Sequence, residues 1–121
     1  MNGNYTLKIG SKMWSLRVVP SQQFDAILLS HDQPASDKLG FIDYHLQTMI
    51  VRGDCHPDAR AEAVIHEILH AALADAGIAS IRFDPVVDLS ESVVSILGAR
   101  LLGVLRENTA CLRELGVLAH D

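Results

Sequence analysis

The segment VIHEILHAA, residues 64–72, places two histidines four positions apart, with a glutamate directly after the first. On an α-helix, side chains at positions i and i+4 lie one above the other on the same face, so His66 and His70 can direct two ring nitrogens to one point. Neutral imidazole binds Zn²⁺ at about 2.0–2.1 Å, and two imidazoles supply half of a tetrahedral site. The spacing therefore predicts a zinc site on His66 and His70.

Glu67 follows His66 by one position, about 100° around the helix axis, so its carboxylate flanks the ion instead of facing it. From there it can act as the general base toward a zinc-bound water, whose pKa the metal lowers toward about 7. This division of roles is the chemistry of the HExxH motif. The alternative interpretation is a helix with two partly exposed histidines and a solvated glutamate. Against it, only these three side chains are polar between Val64 and Ala74.

A catalytic zinc site takes three protein ligands and keeps one position open. The extended pattern HExxHxxGxxH is absent, because Leu73 and Ala76 occupy its glycine and final histidine positions. We expect the third ligand on the next helix, where Glu91 follows His70 by 21 residues. Glu91 also fits a capping box with Asp88, in which case its carboxylate would bond to the start of its own helix. The further candidate ligands are Asp84, Asp88 and His56.

A resemblance spans residues 40–107, and its carriers are GFIDYHLQTMIV, AEAVIHEILHAAL and ESVVSILGARLLGVLREN. HExxH followed by a helical glutamate resembles the gluzincin class of zinc metallopeptidases. More closely, the chain resembles the small phage- and prophage-encoded HExxH proteins related to the ImmA/IrrE repressor-cleaving peptidases. The resemblance implies zinc at His66, His70 and Glu91, with Glu67 as the base and a peptide or protein substrate, such as a repressor or phage protein. It also implies that the strand at 48–52 lies along the substrate cleft, where its edge pairs with an extended peptide.

Two features of the resemblance bear on whether the domain is active. Gluzincins commonly place an acidic residue four positions after the glutamate ligand to orient a histidine, and here that position is Ser95. They also use a tyrosine or histidine to stabilise the oxyanion, and the candidates are Tyr44, His45 and His31. The alternative hypothesis is a catalytically silent zinc-binding domain that works as a phage accessory or protein-interaction module.

The N-terminal half of the chain is predicted to form mainly strands. Alternating residues predict strands at 5–10 and 13–19, and a hairpin with strands at 39–43 and 48–52. Residues 20–37 contain two prolines and several Ser and Asp residues, so we expect a loop with at most one helical turn or a short strand.

The C-terminal half is predicted to form three helices, at 57–76, at roughly 86–107, and from 108 or 109 to before Gly116. Pro57 suits a first helical position and Gly77 a position just past a helix end. Strands followed by helices predict one α+β domain over residues 1–121. Its small N-terminal antiparallel sheet would pack on two long helices, in a minimal zincin-like arrangement, with a short C-terminal helix.

The composition argues against several functional classes. The formal net charge of −5 gives no basic footprint of the kind that nucleic-acid binders carry. No signal-peptide core is recognisable at the N-terminus, and no apolar run is long enough to span a bilayer. Cys55 and Cys111 lie far apart and outside any CxxC pair, which favours a reducing, cytoplasmic setting. We interpret Cys55-His56 as turn residues, since adjacent side chains rarely face each other as a nucleophile and its base.

Overall fold

A computed structural model describes residues 3–33, 38–75, 82–83, 87–115 and 118–119. The elements in chain order are β1 (Gly3–Ile9), β2 (Lys12–Val19), α1 (Ser21–Ser30), β3 (Gly40–Asp43), β4 (Thr48–Arg52), α2 (Pro57–Asp75), β5 (Arg82–Phe83), β6 (Val87–Asp88), α3 (Leu89–Glu107) and α4 (Thr109–Glu114). The predicted α+β class is confirmed, with a sheet first, two long helices after it and a short C-terminal helix. Among the described residues, no helix is both long and apolar enough to cross a membrane.

The four-stranded sheet has the order β1-β2-β4-β3. Both expected strand pairs, β1 with β2 and β3 with β4, are antiparallel. The two hairpins are joined by a parallel pairing of β2 with β4, in which Leu16 lies opposite Met49. The sheet is therefore mixed, and the prediction of a purely antiparallel sheet was wrong. The physical reason is the connection after β2, because parallel neighbours need a crossover and the chain supplies one through α1.

The helix α1 replaces most of the loop that was predicted for residues 20–37. Its first turn is held from a distant part of the chain. The Asp54 carboxylate accepts hydrogen bonds from the Ser21 backbone N–H at 3.0 Å and from the Ser21 hydroxyl at 2.6 Å. Pro20, the residue at the N-cap, makes no side-chain capping bond of its own. Two side chains of α1, Phe24 and Leu28, are fully buried. Tertiary contacts therefore form this helix where local sequence signals are weak.

The core lies on both faces of the sheet, because successive residues of a strand point to opposite faces. In β4, Met49 and Val51 pack in one buried cluster with residues of α2, and Ile50 between them packs in another with Phe24 and Leu28 of α1. The helices α1 and α2 therefore cover opposite faces of the sheet.

The helices α2 and α3 pack against each other in antiparallel directions. Glu91, at the start of α3, lies beside His70 near the end of α2. At the other end, Arg106 of α3 donates a hydrogen bond to Asp58 of α2 at 3.1 Å. The start of α3 at Leu89 is later than predicted, since Val87–Asp88 pairs with Arg82–Phe83 as a small second sheet. The remaining predicted helix boundaries that fall on described residues agree closely with the structure.

The end of α1 is tied to β3 through His31. Its Nδ1 lies 3.0 Å from the Ile27 carbonyl oxygen and its Nε2 lies 3.1 Å from Asp43 Oδ2. Both partners only accept hydrogen bonds, so the two contacts together favour the doubly protonated, cationic ring. The Ile27 carbonyl and then the Asp43 carboxylate raise the pKa of His31 above its ordinary 6.5. The Leu46 backbone N–H and, less strongly, His31 lower the pKa of Asp43 below its ordinary 3.8.

We expect this pair to stabilise the fold within a limited pH range. The contribution from His31 is complete below pH 6.5 and is lost as the pH rises through its raised folded pKa. The contribution from Asp43 is complete above pH 3.8 and is lost as the pH falls through its lowered folded pKa. Chemical denaturation of the native protein and of Asp43→Asn at pH 5.5 and 8.5 measures the effect. The variant should lose less stability between the two pH values, and an equal loss in both proteins would contradict the pair's role.

The helical structure of residues 21–30 is tested by two neighbouring leucines. Leu28 is fully buried, so Leu28→Ala should lower the free energy of unfolding by about 2–5 kcal/mol. Leu29 is 62% exposed, and Leu29→Ala should change it by no more than about 0.5 kcal/mol. Urea denaturation of both variants makes the comparison. Equal effects at the two positions would indicate that residues 21–30 do not form this buried helix.

Candidate metal centre

The three predicted ligands lie together between α2 and α3. Glu91 Oε1 is 2.9 Å from His66 Nε2, and Glu91 Oε2 is 2.8 Å from His70 Nε2. The two imidazole rings are 4.9 Å apart between centroids. One ligand atom from each of the three residues can be chosen so that all lie within 4.8 Å of one another. This spacing is compact enough for the three side chains to coordinate a single ion.

Helix geometry explains how these side chains meet. His66 and His70 share one face of α2 because they are four residues apart. The backbone of α3 comes close to α2 beside them, and a Cβ on Gly98 would lie 3.8 Å from His66 Cα. Glu91 stands two turns before Gly98 in the antiparallel helix and reaches both rings. Glu91 contacts both imidazoles, as its predicted role as the third ligand requires.

The chemistry of these side chains fits zinc. Two imidazole nitrogens and one carboxylate form a His₂Glu set, which is found in catalytic zinc sites that keep a fourth position for water or substrate. Two of the buried polar atoms, Glu67 Oε2 and His70 Nδ1, have no hydrogen-bond partner within the described structure. Unpartnered buried polar atoms are costly, and these two belong to a candidate ligand and to the candidate base.

Glu67 lies beside this group but is not part of it. Its Oε1 is 4.0 Å from His66 Nε2, and only 5% of the residue is exposed. Burial, and secondarily the charge of Glu91, raise the pKa of Glu67 to about 8, while the charge of Lys38 opposes the shift. A divalent cation beside this carboxylate would also oppose the shift, because it favours the ionised form. The flanking position that the sequence predicts for Glu67 agrees with this placement.

A cleft of about 950 Å³ opens onto the three ligands and Glu67. One of its sides is β3 with the two residues before it, and the others are α2 and the part of α3 that contains Ser95 and Gly98. The strand at the cleft is therefore β3, not the strand just before the helix, as the resemblance had implied. The difference arises from the strand order, since β4 lies inside the sheet between β2 and β3.

Of the three candidates for oxyanion stabilisation, only Tyr44 lines the cleft in the described structure. Tyr44 lines the cleft with Glu67 and the ligands. His31 instead bonds to Asp43, whose side chain lies on the sheet face opposite α2, so its candidacy was wrong. His45 is exposed in the turn after β3 and does not line the cleft.

The further ligand candidates are not joined to the group in the described structure. The side chain of His56 is 73% exposed at the start of α2, and its Nδ1 accepts a hydrogen bond from the Asp58 backbone N–H at 3.1 Å. Asp84 and the side chain of Asp88 lie outside what the structure describes. Cys55 donates from Sγ to the Arg52 carbonyl oxygen at 3.5 Å, a contact suited to a turn residue.

Two residues at the cleft were not identified from the sequence. Lys38 lies close enough for its charge to act on Glu67. Gly40 lies against the Glu67 side chain, and its hypothetical Cβ would be 3.1 Å from Glu67 Cγ. The signal available in the sequence was the glycine itself, because a glycine within a strand often marks a place where another group lies close to the backbone.

No protein-family model, curated protein or solved structure matches this chain. The functional interpretation therefore depends on the geometry of the site and on the chemistry of its residues.

Removing any of the three ligands should weaken zinc binding. Loss of a residue that only supports a metal ligand costs roughly 10- to 100-fold in metal affinity. We expect a larger loss of zinc affinity in each of three variants, His66→Ala, His70→Ala and Glu91→Gln. Zinc content after dialysis, and a competition titration against a chromogenic chelator, measure the loss. His56→Ala is the matched histidine control and should bind zinc as the native protein does. Unchanged zinc affinity in His66→Ala would refute the site.

Proposed function

We propose that the protein is a zinc-dependent metallopeptidase of gluzincin-like type. The observation that carries the proposal is the placement of His66, His70 and Glu91 around one point, with the buried Glu67 carboxyl next to them and a cleft leading to all four. A carboxyl group in a cleft with a strongly perturbed pKa is a recognised indication of an acid–base catalyst.

Each residue has a defined role in peptide hydrolysis. His66, His70 and Glu91 would hold zinc, which when bound supplies a Lewis acid that polarises a carbonyl and lowers the pKa of water. Glu67 takes a proton from the attacking water and then delivers it to the nitrogen of the leaving amine. Its position, 4.0 Å from His66 Nε2 and outside the ligand set, leaves its carboxylate available for that transfer. Tyr44 is the cleft residue proposed to stabilise the oxyanion.

The cleft suits an extended peptide. Within the described structure, β3 pairs only with β4, so its outer edge can form backbone hydrogen bonds with a substrate strand. The proposed substrate is a protein with an extended or unfolded segment, such as a repressor or another phage protein. The proposed setting is the bacterial cytoplasm, with the gene carried by a phage or prophage.

A second candidate function is a zinc-binding module without turnover. His70 Nδ1 is buried without a hydrogen-bond partner in the described structure, and Ser95 stands where gluzincins commonly place an orienting acid. A histidine ligand without an acceptor on its other nitrogen is less firmly oriented. This observation favours a weaker or inactive site.

Glu67→Gln separates the two functions. The amide is nearly the same size but cannot accept the proton, so hydrolysis should fall by about 10²- to 10⁴-fold while zinc binding persists. Cleavage of a fluorescently labelled unfolded protein, followed together with zinc content, provides the measurement. Glu107→Gln, an exposed change on α3, is the matched control and should keep full activity. Zinc binding with equal cleavage rates in the native protein and Glu67→Gln would exclude the proposed role of Glu67.

A further inference from the structure

Gly40 lies where β3 meets the Glu67 side chain. It pairs with Val51 of β4, whose side chain is buried in the cluster that packs on α2, so position 40 also faces α2. A Cβ at Gly40 would lie 3.1 Å from Glu67 Cγ, 3.3 Å from Cδ and 3.5 Å from Oε1. Two carbon atoms prefer a separation of about 3.5–4.0 Å, so the space that a side chain at position 40 needs is occupied by Glu67.

The backbone conformation does not explain this glycine. Gly10, in the turn between β1 and β2, has a φ of +61°, which few other residues adopt readily. Gly40 lies in a regular strand, and its φ is outside that left-handed region. Glycine in a strand is unfavourable, because it loses more conformational entropy on folding and packs no side chain. The property of glycine that matters at position 40 is therefore the absence of a side chain, not its backbone freedom.

The missing side chain allows the base to lie directly against the strand. Glu67 is on α2 and the proposed substrate edge is on β3, so the distance between base and peptide depends on how closely these two elements approach. At Gly40 the carboxyl group of Glu67 is next to the backbone of the edge strand. A substrate strand paired with β3 would lie next to that same backbone.

We propose that Gly40 is a positioning residue. Its missing side chain lets the Glu67 carboxyl group lie against the edge of β3, where it meets the peptide bond of a bound substrate. The inference rests on the proposed peptidase function and adds a determinant outside the HExxH helix. It follows that a side chain at position 40 displaces Glu67 from this place while the candidate ligands His66, His70 and Glu91 keep theirs.

Gly40→Ala tests the proposal, with Gly103→Ala on α3 as the control, since a Cβ at Gly103 would meet nothing within 4 Å. In Gly40→Ala, kcat for an unfolded protein substrate should fall severalfold, because the added Cβ displaces the Glu67 side chain by a few tenths of an ångström and a displacement of about 1 Å costs about 10²-fold. KM should change little and zinc content should be unchanged. In Gly103→Ala all three quantities should match the native protein. A purely structural role of Gly40 would instead change stability and leave kcat intact, which would overturn the proposal.

A double-mutant cycle tests the contact without any activity. Gly40→Ala should lower the urea midpoint when Glu67 is present. It should raise the midpoint in a Glu67→Ala background, where the obstructing side chain is gone and alanine is the better strand residue. The same midpoint change in both backgrounds would refute the contact and with it the role of Gly40. Absence of turnover in the zinc-loaded native protein would refute the peptidase function instead, so the two failures are distinguishable.

Discussion

The close approach of α3 to α2 is the contact on which the candidate site depends. The backbones meet beside His66, where Gly98 has no side chain to hold them apart. The antiparallel direction then brings Glu91, two turns earlier on α3, to both imidazoles at 2.8 and 2.9 Å. At the other end of the helix pair, an exposed ion pair between Arg106 and Asp58 joins the two helices in the same alignment. A shift of α3 by one helical turn, about 5.4 Å, would leave the two histidines without their third partner.

The same packing places polar groups where burial is unfavourable. Glu67 and His70 are each 5% exposed, and each has a polar atom without a hydrogen-bond partner in the described structure. An apolar helix face would pack against the sheet and α3 with less free-energy cost, since such atoms lose their hydration on folding. Sites of this kind, where local stability rules are broken, are where function is expected. Burial is also what raises the pKa of Glu67 to about 8, so the cost and the chemical property have one cause.

Short-range patterns were sufficient to predict much of the fold and part of the site. Both hairpins, α2 and α3 follow from residue periodicity, and the pairing of His66 with His70 follows from helix geometry alone. The helix α1 was missed because the group at its start, Asp54, is 33 residues away from Ser21. The parallel pairing of β2 with β4 could not be derived from either hairpin by itself, and it decides that β3 lies at the edge. The choice among Tyr44, His45 and His31 was open for the same reason, since only the sheet determines which face Asp43, the partner of His31, occupies.

Ligand number and access bear on what a zinc ion would do at this site. Structural zinc sites are usually closed by four protein ligands, most often cysteines with histidines. Here three described side chains, His66, His70 and Glu91, could hold one ion, and the Glu91 side chain, which lines the cleft, is 54% exposed. A fourth position facing a cleft suits exchange of water and substrate better than a structural role. The edge of β3 borders that same cleft, and at Gly40 the Glu67 carboxyl carbon lies 3.3 Å from the position that a Cβ would take. A peptide bound along β3 would therefore be brought to Glu67 and to the open side of His66, His70 and Glu91 by one set of backbone contacts, which is the arrangement that the proposed hydrolysis would require.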